Sequence, residues 1–427
     1  MQVSAETTQG LERRVTITLS AKDIAQEMQS RLRSLAQTTR IAGFRPGKVP
    51  PALIQQRFGA QVRNDVVGEL LRSSLSKQLT EQRWRLANSP QFEPIPTGDN
   101  AGGGDICYAA TFEIYPEVQL LPMEDVIIQQ PVVQIAESDV DAMVEHLRRQ
   151  RQRWNKTDAP AALDDRVEID FTGTLADGVP FEGGTGTQVL VVLGAGKFIG
   201  AFEEQLVGAL PGETRTVEVT FPAEYHHAEL AGQDAQFVVV VKSVENGQLP
   251  ELDEAFIRSL GVAEGTVEVL RQEIHRNIER DCAGKIKELL KTQVLDWLYR
   301  EHPLEVPNGL LGEEMTSLRN SGIPEEALEE RARRHVALGI LLGEVVQRQR
   351  IKADHERIRA YIAAAAEEYE DPDQVARWIA SEPKRVQEIE ALVIEDMAVE
   401  WVLKQVQLAP SPVPLSDLVN LTRTNHA

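Results

Sequence analysis

The chain has 427 residues, and its 45 Lys and Arg against 66 Asp and Glu give a formal charge of −21. At about 150 residues per domain this length predicts roughly three domains, and the apolar content of 42% excludes a chain that is disordered throughout. The charge is uneven: residues 1–115 carry 14 basic and 11 acidic side chains, whereas residues 116–427 carry 31 and 55. Because nucleic-acid phosphates attract Lys and Arg, only the first segment suits a polyanionic partner.

The compartment is predicted from the cysteines and the apolar runs. Cys107 and Cys282 lie far apart and match neither a redox pair nor a metal-ligand spacing, which favours a reducing compartment. The first ten residues show neither the basic nor the apolar region of a signal peptide. The longest apolar runs, such as Ala337–Val346, are far too short to span a bilayer. We therefore expect a cytoplasmic protein that does not enter a membrane.

Residues 1–115 are predicted to form an α/β domain. The alternation of Leu11–Ser20 is typical of a strand, and Ser20 is the predicted N-cap of a helix that runs to about Thr39. The glycines and prolines of Ile41–Pro51 predict a loop. Two helices, Pro51–Phe58 and Gln61–Gln82, and strands around Ile106–Ile114 follow.

Residues 116–150 are predicted to be an extended linker followed by a helix with Ser138 as its N-cap, leading to and from the C-terminal domain. Residues 151–246 then change character, because short strands alternate with glycine-rich turns, a pattern typical of a compact antiparallel sheet. The predicted strands are Val167–Thr172, Gln188–Leu193, Thr214–Phe221 and Gln236–Val244.

Residues 247–427 are predicted to be helical. Leu270, Ile274, Ile278, Cys282 and Ile286 repeat every four residues, and further helices are expected at Pro324–Gln349, Ala353–Glu370 and Pro383–Gln407. Several carry more apolar surface than one narrow seam needs, which favours helices packed as elongated arms. Such a surface either holds unfolded segments weakly or is packed entirely inside the domain. The overall class is therefore α+β and multidomain.

The segment Gly43-Phe44-Arg45-Pro46-Gly47-Lys48 presents one aromatic ring and two cations on a stiff loop between helices. One interpretation is an ordinary connection whose Phe44 enters the core. The other is a docking loop, with Arg45 and Lys48 meeting phosphates or an acidic surface and Phe44 as an apolar anchor. The basic balance of this end favours docking.

This loop resembles the ribosome-docking signature of the bacterial trigger factor family. The resemblance covers essentially the whole chain, in the family's order of docking domain, prolyl isomerase domain and helical chaperone domain. It implies that Gly43, Phe44, Arg45, Gly47 and Lys48 contact protein and rRNA of the large ribosomal subunit beside the exit tunnel. It also implies nascent or unfolded polypeptides as clients, held between the helical arms.

The middle domain is similar to FKBP-type prolyl isomerases in two segments, Asp170–Glu182 and Leu193–Glu203. The resemblance implies a proline pocket and a polar contact from Glu182. By position the pocket residues are Phe171, Phe181, Phe198, Ile199, Phe202, Tyr225 and Phe237. An apolar pocket suits this reaction, because the rotation barrier of about 18–20 kcal/mol arises from amide resonance and a dry site favours the twisted amide.

For any single aromatic residue, burial in the core of the sheet is the alternative interpretation. The concentration favours a site, because residues 164–245 hold six of the eleven phenylalanines. His226-His227 is not expected to bind a metal, since adjacent histidines do not face one another and no third ligand lies at a suitable spacing. No Walker motif is present, so neither a cofactor nor a metal is expected.

The sequence thus predicts an ATP-independent, ribosome-associated chaperone that shields nascent polypeptides and isomerises X–Pro bonds. Two alternatives stay open: a free-standing prolyl isomerase whose helical part dimerises, and a holdase with a vestigial isomerase domain. A homodimer of the free protein is likewise open.

Overall fold

The computed structural model describes residues 2–7, 10–38, 50–96, 105–175, 178–222, 224, 225, 227, 230–367, 369 and 371–418. Contacts divide the chain into two units, one formed by residues 1–130 with 287–411 and the other by residues 131–286 with 412–427. The limits of these two units do not coincide with the four predicted domain ranges, 1–115, 116–150, 151–246 and 247–427. Those ranges therefore stay predictions. Among the described residues, no helix is long and apolar enough to cross a membrane.

The N-terminal region is a four-stranded antiparallel sheet covered by two helices. Its elements are β1 (Gln2–Thr7), β2 (Glu12–Leu19), α1 (Ala21–Thr38), α2 (Pro51–Gln82), β3 (Gln91–Ile95) and β4 (Ile106–Glu113), with strand order β1-β2-β4-β3. Val15, Ile17 and Leu19 are fully buried, as the alternation predicts. Ser20 accepts a hydrogen bond from the Asp23 N–H at 3.1 Å, which confirms the predicted N-cap.

The prediction of two separate helices in residues 51–82 is wrong, because α2 is continuous through Gly59. A glycine inside a helix is less favourable than alanine by about 1 kcal/mol. Burial of Ile54 before Gly59 and of Val62 and Val66 after it outweighs that penalty. The helix therefore continues because one long face packs in the core of this region.

The predicted linker contains a strand and a helix, β5 (Ile127–Val132) and α3 (Glu137–Gln150). The prediction of Ser138 as the N-cap is wrong, because Ser138 lies inside α3. The helix begins at Glu137, and its N-cap is Ala136. The Asp139 carboxylate accepts from the Ala136 N–H at 2.9 Å. The carboxylate of the third helical residue thus satisfies the backbone N–H of the N-cap residue, and no serine side chain caps this helix.

The middle region is a five-stranded antiparallel sheet with one short helix. Its elements are β6 (Arg153–Thr157), β7 (Arg166–Leu175), β8 (Pro180–Val192), α4 (Phe202–Leu206), β9 (Thr214–Thr220) and β10 (Asp234–Gln248). The strand order is β6-β10-β7-β8, with β9 also paired to β10. All four predicted strands overlap observed ones, and β6 is an additional edge strand. A buried cluster that includes Val167, Ile169, Val239 and Val241 fills one face of the sheet.

The C-terminal region is helical, as predicted, and also contributes one strand. Its elements are α5 (Glu254–Ser259), α6 (Val267–Glu301), α7 (Asn308–Asn320), α8 (Glu325–Gln349), α9 (His355–Ala366), α10 (Pro372–Ser381), α11 (Pro383–Leu403) and β11 (Gln407–Pro412). Strand β11 pairs with β5, so the helix predicted to reach Gln407 ends earlier. The stripe from Leu270 to Cys282 is buried along α6.

Helices α7 and α10 were not predicted. The first N–H groups of α7 are satisfied from outside the helix, because the Glu113 carboxylate accepts from Asn308 at 2.8 Å and from Gly309 at 2.7 Å. The sequence around α7 could not predict this cap, because the acceptor Glu113 is distant in sequence. Helix α10 does carry a local signal, since Asp371 accepts from the Gln374 N–H at 3.0 Å and Pro372 occupies the first turn, where proline is favoured.

Candidate functional site

A cavity of about 320 Å³ opens in the middle region beside α4. All seven aromatic and aliphatic residues predicted for a proline pocket line this one cavity. They are Phe171, Phe181, Phe198, Ile199, Phe202, Tyr225 and Phe237. Residues that are up to 66 positions apart in sequence thus converge on one space.

Phe202 forms the floor of the cavity. It is 1% exposed, and the ring of Phe198 stacks on it with centroids 5.0 Å apart and planes inclined by 18°. The rings of Phe171 and Phe237 approach edge-on, at 6.3 and 5.5 Å. Such geometries are favourable for aromatic pairs, so the four rings hold one another in place.

Two glycines make room for these rings. A Cβ atom on Gly173 would lie 2.5 Å from the Phe237 ring, and one on Gly186 would lie 2.5 Å from the Phe171 ring. Both distances are far below van der Waals contact. Since Gly173 lies opposite Phe237 in the β7–β10 ladder, the missing side chain allows the ring to lie over the neighbouring strand.

The other side of the cavity contains residues that we did not predict. Phe221 is 3% exposed and contacts the rings of Phe181 at 5.7 Å and Tyr225 at 4.9 Å. Leu230 and His227 also line this side. Phe221 ends a predicted strand. Because it follows the buried Val217 and Val219 at every second position, the sequence could have predicted it on the buried face of the sheet.

Glu203 is a buried charged residue next to the cavity residue Phe202, and it was not among the predicted site residues. It is 5% exposed, and its carboxylate accepts hydrogen bonds from four backbone N–H groups in the turn between β8 and α4. Burial raises the pKa of Glu203, but the four donors outweigh burial and hold the pKa below its ordinary value of 4.5. Glu203 is therefore a carboxylate at neutral pH.

Asp170, which belongs to the motif, does not line the cavity. Its carboxylate accepts from the Gln188 N–H at 2.8 Å and pairs with Lys242 at 2.9 Å. The Gln188 N–H and then Lys242 hold the pKa of Asp170 below its ordinary value of 3.8. Because Asp170 alternates with Ile169 and Phe171, it lies on the opposite face of β7.

Two groups of predicted site residues fall outside what the structure describes. Gly43, Phe44, Arg45, Gly47 and Lys48 lie outside the described residues, as does His226. Glu182 lies in strand β8, and its side chain is not among those described. Their roles stay predictions.

The cavity can hold a small apolar ring. Its described lining is aromatic and aliphatic apart from Gly183, Lys197 and His227, and the Tyr225 hydroxyl is a further polar group. No group of three or more metal-ligating side chains occurs among the described residues. A short helix packed on an antiparallel sheet, with an aromatic cavity beside it, defines an FKBP-type isomerase domain, here within a larger α+β chain.

Comparisons with known proteins identify this class and the family. The family model described as FKBP-type peptidyl-prolyl cis-trans isomerase matches residues 157–242. The model for bacterial trigger factor protein matches residues 1–147, and its C-terminal counterpart matches residues 266–323 and 320–404. The chain is 40% identical to trigger factor of Thioalkalivibrio sulfidiphilus over 432 residues, which cover 98% of each chain. The chain belongs to the trigger factor family.

A solved structure is also similar. It is described as "Promiscuous Substrate Recognition in Folding and Assembly Activities of the Trigger Factor Chaperone" and is 18% identical. The match covers 95% of this chain and 100% of the other, with a TM-score of 0.48.

Family membership and the FKBP-type domain establish the function. The protein is a ribosome-associated chaperone and a peptidyl-prolyl cis/trans isomerase. Both alternatives from the sequence, a free-standing isomerase and a holdase without isomerase activity, therefore give way to the combined function.

Proposed function

We propose that the aromatic cavity is the site at which X–Pro bonds are isomerised. The observation that carries this proposal is the convergence of the seven predicted residues on one cavity of about 320 Å³. The proline ring would lie in this cavity, in contact with Phe171, Phe198 and Phe237. Glu182 and Tyr225 would make polar contacts with the substrate backbone.

The proposed mechanism needs no nucleophile. Rotation about an X–Pro bond must pass through a twisted amide that has lost its resonance. This amide is less polar than the planar form, so a pocket that excludes water favours it over the ground state. Each 1.36 kcal/mol by which the pocket lowers the barrier accelerates the reaction tenfold. The Tyr225 hydroxyl can donate to the substrate carbonyl and fix its orientation.

An isomerisation assay on a proline-containing peptide tests this site. The native protein is expected to accelerate interconversion, and Phe202→Ala is expected to abolish most of the acceleration. A folded Phe202→Ala protein that is as active as the native protein would contradict the proposed site.

We infer that Gly43, Phe44, Arg45, Gly47 and Lys48 form the contact with the large ribosomal subunit beside the exit tunnel. The basic balance of residues 1–115 supports this, because rRNA phosphates attract cations. Co-sedimentation with ribosomes tests it: changing Phe44, Arg45 and Lys48 to Ala should abolish binding. The control variant Arg276→Ala with Arg280→Ala removes two exposed cations from α6 and should bind like the native protein.

We infer that residues 247–427, together with residues 116–150, form the client-binding domain. Several large apolar or aromatic side chains on or beside α9, α10 and α11 are exposed, which suits weak and promiscuous contacts. They are Tyr361, Tyr369, Trp378 and Leu392. Suppression of aggregation by Tyr361→Ser with Trp378→Ser should fall relative to the native protein.

We propose that the protein is cytoplasmic, where its expected ribosomal partner would be met, and fractionation of cells tests this location. Sedimentation velocity of the free protein over a range of concentrations decides between monomer and homodimer.

A further inference from the structure

We propose that Glu203 is a positioning residue for the isomerase pocket, whose carboxylate fixes the turn that carries Phe198 and Ile199. This inference rests on the proposed role of the aromatic cavity. Glu203 does not line the cavity, so it acts on a substrate only through the turn.

Each carboxylate oxygen of Glu203 accepts two hydrogen bonds. One takes the N–H groups of Gly194 and Gly196, both at 2.9 Å. The other takes the N–H groups of Lys197 at 2.8 Å and Phe198 at 3.0 Å. Four of the five residues from 194 to 198 thus direct their N–H groups at one side chain.

The turn cannot easily keep this shape without an internal acceptor. Gly194 and Gly196 have φ angles of +89° and +66°, and successive N–H groups in such a segment converge on a concave, anion-binding surface. In this protein the anion is supplied by the chain itself. Because Glu203 is almost fully buried, water cannot readily replace the carboxylate.

The same carboxylate is linked directly to the cavity. Phe198 is held through its N–H by Glu203 and through its ring by the stack on Phe202, the residue that precedes Glu203. Ile199 follows at once and lines the cavity. A shift of the turn would therefore move three cavity residues, Lys197, Phe198 and Ile199, together. The sheet that carries Phe171 and Phe237 would stay in place.

Three substitutions test whether Glu203 holds the turn through its carboxylate or only occupies volume. They are Glu203→Gln, Glu203→Asp and Glu203→Ala. The amide of Glu203→Gln keeps the size but directs an NH₂ group at two N–H donors. Glu203→Asp keeps the charge and shortens the side chain. Glu204 is adjacent and exposed, so Glu204→Ala is the matched control.

The first experiment measures KM and kcat for a proline peptide at a temperature where circular dichroism shows every variant folded. A displaced wall weakens binding in both the ground state and the transition state, which raises KM. We expect KM to rise about tenfold in Glu203→Gln and Glu203→Ala, with partial recovery in Glu203→Asp and no change in Glu204→Ala. A lower kcat at unchanged KM, the signature of a smaller folded fraction, would overturn the proposal, as would a native KM in Glu203→Gln.

The second experiment does not depend on activity. Hydrogen exchange of residues 194–198 should accelerate at least tenfold in Glu203→Gln while the strands β7 and β10 stay protected. Uniform acceleration across the domain would show a general loss of stability instead and would contradict the positioning role. If the native protein is inactive but this local exchange is observed, the proposed pocket fails while the anchoring of the turn stands.

Discussion

Two antiparallel sheets in this chain use aromatic side chains differently. The N-terminal sheet is covered by helices of 18 and 32 residues, and its aromatic pair, Trp84 and Phe112, belongs to the packed core. The middle sheet carries a helix of only 5 residues, and its rings line a cavity. In this chain the rings under two long helices belong to a packed core, whereas the rings beside a helix of 5 residues line a cavity.

The largest effects are expected from the loss of one buried ring in each region, Phe202 of α4 and Phe112 of β4. Phe202 and Phe112 are both 1% exposed, and Phe→Ala substitutions at such sites destabilise by about 3–5 kcal/mol. Phe202→Ala should lose stability and isomerase activity together. Phe112→Ala should lose as much stability in urea unfolding but keep its activity wherever the middle region stays folded.

The comparison would fail if Phe112→Ala abolished isomerisation in a folded protein. It would also fail if Phe202→Ala kept native activity, since the ring that forms the cavity floor would then be dispensable.

A single methyl group should have opposite effects in the two regions. In Gly173→Ala the new Cβ would meet the Phe237 ring at 2.5 Å, and such overpacking destabilises by about 1–3 kcal/mol. In Gly59→Ala the nearest atom is Gln55 Cγ at 3.6 Å, so α2 should gain up to about 1 kcal/mol from the better helix former.

Thermal unfolding monitored by circular dichroism measures both changes, and the peptide assay should show lower activity only for Gly173→Ala. Equal shifts of the same sign in the two variants would contradict the view that Gly173 provides clearance for a pocket ring.

Much of this contrast was predictable, and the rest depends on groups that meet only in the fold. The alternation around Val15 predicted the first sheet, and short strands between glycine-rich turns predicted the second. The seven cavity residues were expected from the resemblance to FKBP-type isomerases. The sequence could not show that Gly173 faces Phe237, because strand register decides that contact. Nor could it show the Glu113 cap of α7, which joins residues 195 positions apart. Glu203 lies in the FKBP-like segment Leu193–Glu203, but its four hydrogen bonds to the turn became visible only in the fold.

In the helical region, ion pairs between helices contribute to stability. The pairs between α6 and α11 are an example. Asp396 of α11 accepts from Lys287 at 2.7 Å and Lys291 at 3.0 Å, both on α6. Burial raises the pKa of Asp396, but the two lysines outweigh burial and hold it below 3.8. For Lys291, burial lowers the pKa, and Glu395 and Asp396 outweigh this and hold it above 10.5.

A depressed carboxyl pKa stabilises the fold above 3.8, and this stabilisation is lost as pH falls through the folded value. A raised lysine pKa stabilises the fold below 10.5 and is lost as pH rises through the folded value. Asp396→Asn should therefore lose about 1 kcal/mol between these limits and match the native protein at acid pH. A constant difference at every pH would show that charge is not the cause.

The smallest effect is expected from Tyr225→Phe, which removes one hydroxyl at the rim of the cavity. Stability should change by less than about 0.5 kcal/mol, while kcat/KM should fall roughly threefold to tenfold if the hydroxyl donates to the substrate, the range of one net hydrogen bond. The control Tyr108→Phe in the N-terminal sheet should leave kcat/KM unchanged. Equal activity in both variants would remove Tyr225 from the proposed site.

The most direct test of the central claim, that the partly covered rings are the isomerase site, is the isomerisation rate of Phe198→Ala. Phe198 is only partly buried, so its loss should lower the unfolding temperature by a few degrees at most while removing a wall of the cavity. At a temperature where native and variant proteins are both folded, we predict that the catalysed rate on a proline peptide falls at least tenfold. A rate equal to that of the native protein would contradict the account.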